Sequence, residues 1–222
     1  MQSILAILVS INRLGSWTLG YVLPNEFLRW VDFNNMLVLP LISVVASYLL
    51  KKTIEYSSPQ RESAPHIAWN LIFIIGLYLL AASYGDHEVT NYLHQRFCAD
   101  GASSDVCRIL IFHDDEFSHW VFFLGFVMVN AGLLAIQNLF PHGAPLTGTD
   151  LTLLALNALF LGAGVFANLG FEEIGLDLYV VALLALSSTY LLWRHGRQPL
   201  FVYYTIAYWL GLAGSLFAQI LR

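Results

Sequence analysis

Charge is what this sequence has least of. Of its 222 residues, 10 are Lys or Arg and 15 are Asp or Glu, 11% in all; a soluble domain carries roughly 25%. So few charges cannot coat a globule in water. The balance of -5 argues against a nucleic-acid partner, which needs basic patches. Cysteine is nearly missing too. Cys98 and Cys107 stand alone, with neither a second pair nor the tight spacing of a zinc ribbon. No long Pro/Ser-rich linker, low-complexity tract or internal repeat divides the chain, so residues 1–222 are expected to form a single helical domain.

What the chain has is apolar length. It is 58% hydrophobic, with a mean hydropathy of +0.65. Apolar runs cover residues 3–23, 36–52, 67–94, 109–138, 149–171, 174–194 and 199–221, several of them reaching the roughly 20 residues that cross a bilayer. Breakers separate most of them: "LPNE", "SSPQRESAP", "PHGAPLTGTD" and "RHGRQP". Asp150 is placed to cap one helix and Pro199 to open another. No alternating barrel pattern is present, and lipid demands that backbone groups be satisfied within each segment. The expected fold is therefore all-α, a polytopic integral membrane bundle of six or seven transmembrane helices. The first run carries Asn12 and Arg13 in its middle and lacks the layout of a cleaved signal peptide. It either spans with one expensive charge or lies at the interface; the expectation here is that it spans.

Lys51, Lys52 and Arg61 share one loop and Arg194 and Arg197 another, on the same side of the membrane, which places that side in the cytoplasm. The opposite side then holds the Cys98–Cys107 loop, where an oxidising compartment favours a disulfide tying the third span to the fourth. It also holds most of the histidines and acids.

At about 100° per residue, Ser83, His87, Asn91 and His94 form one stripe, with Asp86 and Glu88 on its flanks. In "IFHDDEFSHW", Asp115, Glu116 and His119 share a face that Asn130 and Gln137 continue, while His113 and Asp114 are assigned to water. Asp150, Asn157, Asn168 and Glu172 make a third stripe; Tyr204, Tyr208, Ser215 and Gln219 make a fourth. Ions in lipid turn inward to partners or to a watery cavity, whereas Asn, Gln, Ser and Tyr also serve as plain interhelical glue.

The candidate metal ligands are His87, His94, His119, Glu116 and Glu172, and the metal expected is zinc, with iron possible. Glu116 or Asp115 would act as general base and Ser118 would orient the substrate. A site recessed in lipid implies a membrane lipid or amphiphile substrate, and so a metal-dependent hydrolase of ester or amide bonds near the extracytoplasmic leaflet. This plan resembles, in architecture, the seven-helix lipid amidases and receptor-like hydrolases of the alkaline ceramidase and adiponectin-receptor group. That group keeps a His-x-x-x-His pair in its last helix. The last span here, "LFVYYTIAYWLGLAGSLFAQILR", holds no histidine, so no residue is carried across. Two other classes fit the composition: a proton or divalent-cation transporter using the polar stripes, and a non-catalytic cofactor-binding subunit. No lysine lies in the last span to form a retinal Schiff base.

Overall fold

The computed structural model describes residues 2–56, 63–101, 104–171 and 176–221. Arg61, Glu172 and Glu173 lie outside these, as do the side chains of Asn168 and Gln219. Among the described residues six helices are long and apolar enough to cross a membrane: α2 (Trp30–Tyr56), α3 (Ala64–Phe97), α4 (Asp105–Leu139), α5 (Gly148–Phe171), α6 (Leu176–His195) and α7 (Pro199–Leu221). The chain is a multi-pass integral membrane protein built as a helical bundle.

The first run does not make a seventh span. Its helix, α1, covers Gln2–Leu14, 13 residues or about 20 Å at 1.5 Å per residue, against a hydrocarbon core of roughly 30 Å. Gly15 ends it. A Cβ there would sit 2.7 Å from the Ile11 carbonyl oxygen and run into the Trp17 ring. The Thr18 hydroxyl then donates to the freed Asn12 carbonyl at 2.7 Å.

α1 is amphipathic with its polar face inward. Ile4, Ile7, Ile11 and Leu14 are exposed, while Ser3 and Asn12 are buried. Asn12 donates to Asn35 Oδ1 at 2.8 Å and to the Val31 carbonyl at 3.0 Å, and accepts from Asn34 at 2.9 Å. Ser3 donates to Asn157 Oδ1 at 2.8 Å, Gln2 to the Tyr204 hydroxyl at 2.9 Å, and Arg13 pairs with Glu88 at 3.1 Å. The groups that looked costly in a span are what dock a half-span onto α2, α3, α5 and α7.

Two helix pairs form the body, α3 against α4 and α5 against α7, with α6 packed on α7 and α4. Both pairs meet through glycine. A Cβ on Gly125 would lie 2.8 Å from Leu80 N and 2.9 Å from Gly76 O; one on Gly76 would lie 2.9 Å from Val129 N. Gly162 faces the Ala207 carbonyl at 3.0 Å in the same way. Without a hydrophobic drive between helices in lipid, such backbone approach supplies much of the association. Around it lie Phe73, Leu133, Ile136, Leu184, Phe201, Tyr204 and Tyr208, all essentially buried.

Pro199 opens α7 as expected. Asp150, however, is not the cap of α5. Thr147 is: its hydroxyl accepts the Asp150 N–H at 3.2 Å while the Asp150 carboxylate accepts the Thr147 N–H at 2.8 Å. The pair forms a reciprocal capping box, with the acid at the third helical position. The helices place Lys51 and Lys52 at the end of α2 on the same face as Arg194 and Arg197 between α6 and α7.

Gly125→Val is expected to force α3 and α4 apart and to cost about 1–3 kcal/mol, in the manner of other overpacked seams. Gly164→Ala, where nothing lies within 4 Å of an added Cβ, is expected to leave stability unchanged or slightly raised. Thermal unfolding in detergent compares the two directly.

Candidate metal centre

The α3–α4 seam carries a mirrored spacing. On α3, His87, His94 and Cys98 step by seven and four residues; on α4, Cys107, Asp114 and Ser118 do the same. Steps of seven and four keep side chains on one helical face. The Cys98–Cys107 disulfide therefore sits on the same seam as the histidines and fixes the register in which they meet the acid. Ser104 caps the start of α4 by accepting the Cys107 N–H at 3.2 Å.

Asp114 is the centre of the arrangement, with its side chain only 2% exposed. Its Oδ2 lies 2.8 Å from His94 Nδ1 and accepts from Asn91 at 3.3 Å. Its Oδ1 faces His87 Nδ1 at 3.1 Å but has no hydrogen bond of good geometry. An ionised carboxylate only accepts, so with no metal bound each histidine presents Nδ1–H to it; a metal seated between them would take the Nδ1 lone pairs in place of those protons. The His119 ring lies 5.0 Å from that of His87, centroid to centroid. His94, Asp114 and Asp115 each bring one nitrogen or oxygen within 4.8 Å of the others. Beside this cluster the roles reverse: Asp86 of α3 accepts from His113 of α4 at 3.1 Å. Adjacent residues on each helix thus make two opposed His–Asp bridges.

A π-helical turn over His113–Phe117 carries the acids, a distortion common where a helix must present a functional group. Asp114 faces inward from this turn, which corrects the assignment of that residue to water. Asp115 is exposed at the cluster's edge, still within reach of His94 and Asp114. Glu116, about half a turn from Asp114, is exposed and takes no part in the group. Ser118 is buried, and its hydroxyl donates back to the Asp114 carbonyl at 2.9 Å, so it braces the turn and does not face a substrate. His87, His94 and His119 come together as a group; Glu172 lies outside the described residues.

The signal for Asp114 was present in the glycines. Ser118, Gly125 and Gly132 recur every seven residues and mark the contact face of α4, and Asp114 lies one turn before Ser118. A face centred on His119 selects Asp115 and Glu116; one centred on the small residues selects Asp114. Phe112, Phe117 and Trp120, all exposed, flank the site on the outward side of α4.

Geometry defines the class: a membrane-embedded helical bundle with a His/Asp cluster that has the donor set of a divalent-metal site. Compared with protein-family models, with curated proteins and with solved structures, the chain matches none.

Removing Asp114 leaves two histidines facing a void. Asp114→Ala is expected to cost roughly 3–5 kcal/mol, as for other buried pairs that lose one partner, while Glu116→Ala stays within about 0.5 kcal/mol. Replacing Cys98 and Cys107 together by alanine is expected to lower stability by about 2–3 kcal/mol, since the bridge closes a short loop. Denaturation midpoints of the purified variants check all three.

Proposed function

We propose that the protein is a metal-dependent membrane enzyme that hydrolyses an ester or amide bond of a lipid or amphiphile. The observation that carries this is the convergence of His94, Asp114 and Asp115 within 4.8 Å, with His87 against the second oxygen of Asp114 at 3.1 Å. Two imidazoles and a carboxylate form the three-ligand set of catalytic zinc sites, and the mixed N/O donors suit zinc over magnesium or calcium. In this reading His94 and Asp114, two members of the group that lies within 4.8 Å, would hold the ion, with His87 reaching it beside Asp114 Oδ1. Bound zinc supplies Lewis acidity and lowers the pKa of water.

The remaining steps belong to the chain. Asp115, exposed at the edge of the cluster, is the base that takes the proton from water. His119 packs on His87 and holds its ring plane. Asn91 fixes Asp114 Oδ2 and so the orientation of His94. Phe112, Phe117 and Trp120 present apolar surface beside the site, which favours a substrate that arrives through the bilayer. A cation path along the stripes of α4 and α5 draws less support, because Asn130 and Gln137 donate to the Phe126 and Phe140 carbonyls and Asn157 is engaged by Ser3 of α1.

Elemental analysis of the purified protein is expected to find about one zinc per chain, with iron as the less favoured metal. Asp114→Asn and His94→Gln should lose the ion while eluting as folded protein, and Asp115→Asn should keep the metal but release no fatty acid or amine from mixed lipid vesicles. Metal-free wild type that remains folded and homogeneous would sink the reading.

A further inference from the structure

Two apolar grooves open between the helices, the second of them on the face that carries Arg194 and Arg197. One lies between α2 and α3, lined by Val45, Tyr48, Leu77 and Tyr78 among others. Lys52 lies over the ring of Tyr48, one of its lining residues, and is already paired with Glu55 at 3.0 Å. The other groove, of about 540 Å³, runs among Leu151 of α5, Leu192 of α6, and Val202 and Ile206 of α7, and ends at Gly196 and Arg197.

The second groove has a different head. Arg197 is exposed, and among the described residues no carboxylate pairs with it. Gly196 takes a φ of +79°, a turn that favours glycine and returns the chain to α7, which Pro199 opens two residues after Arg197. Arg194 and His195 stand exposed at the end of α6. The acid next to the groove, Asp150, is engaged by the N–H and hydroxyl of Thr147 at 2.8 and 2.6 Å. An apolar trough that ends in a guanidinium at the membrane edge matches a phosphate attached to an acyl chain, since Arg recognises phosphate by paired N–H donors. A zwitterionic headgroup would bring a further cation against Arg194 and Arg197; an anionic one would not.

We propose that this groove is a binding site for an anionic glycerophospholipid of the leaflet on the basic face. One acyl chain lies along Leu151, Leu192, Val202 and Ile206, and the headgroup phosphate meets Arg197. The site is at the opposite end of the bundle from Asp114, so it stands or falls independently of the metal centre.

Protein reconstituted in nanodiscs of phosphatidylcholine and phosphatidylglycerol, then released and weighed by native mass spectrometry, tests this. Wild type is expected to retain phosphatidylglycerol over phosphatidylcholine, and Arg197→Gln to lower that retention roughly fivefold, the weight of one basic residue at an anionic surface. Lys52→Gln should change nothing, and Ile206→Trp, which fills the groove, should remove the bound lipid with Arg197 still in place. Equal retention of the two lipids, or full retention in the exposed and fold-neutral Arg197→Gln, overturns the proposal. Complete displacement by millimolar inorganic phosphate also overturns it, because the acyl chain would then contribute nothing.

Discussion

The contact of two helix backbones at Gly76 and Gly125 sets the rest of this structure. In lipid, apolar side chains gain little by leaving their surroundings, so association falls to van der Waals packing and interhelical hydrogen bonds. Glycine makes the first of these strong by letting α3 and α4 touch main chain to main chain. Once that contact is fixed, the faces of both helices are fixed for their whole length. His87 and His94 must then arrive opposite Asp114, and Cys98 opposite Cys107. The disulfide and the His–Asp bridges lock a register that the glycines choose.

Every polar group on the seams has to find a partner inside the protein, and α1 supplies several of them. Ser3 and Gln2 engage Asn157 and Tyr204; Asn12 knits α1 to the start of α2; Arg13 balances the buried Glu88. Interhelical hydrogen bonds in membranes are individually modest, so this short helix is held by their number. Beside that pairing stands the cluster around Asp114, where three histidines and two acids meet.

Much of this was legible in the sequence. Low charge and long apolar runs located the six spans, the start of α2 falling six residues before its apolar run, because bilayer thickness constrains helix length. The His87 stripe followed from helical arithmetic, and the Cys98–Cys107 link from its short loop. The acid was misassigned for a physical reason. A cluster such as Asp114-Asp115-Glu116 covers most of a helix circumference, so charge alone does not choose its inner face; the small residues of the seam do. The length of α1 was misjudged because hydropathy is blind to Gly15 and to the Thr18 hydroxyl that ends the helix. Asp150 was read as a cap because an acid ahead of an apolar run marks a helix start, but not whether it stands at the cap or three residues in.

The unequal lengths of the helices bear on the bilayer itself. α3 and the helix through α4 run 34 and 35 residues, about 50 Å each, while α1 offers about 20 Å of apolar face on another side of the bundle. Such a molecule has a tall flank and a low one. Lipids against the tall flank stretch or the helices lean; lipids against α1 compress or curl under its end. Where the apolar stretch of a helix and the hydrocarbon beside it differ in length, the mismatch costs fractions of a kcal/mol per ångström. A 13-residue helix docked among full spans therefore leaves the bilayer to adjust along α1.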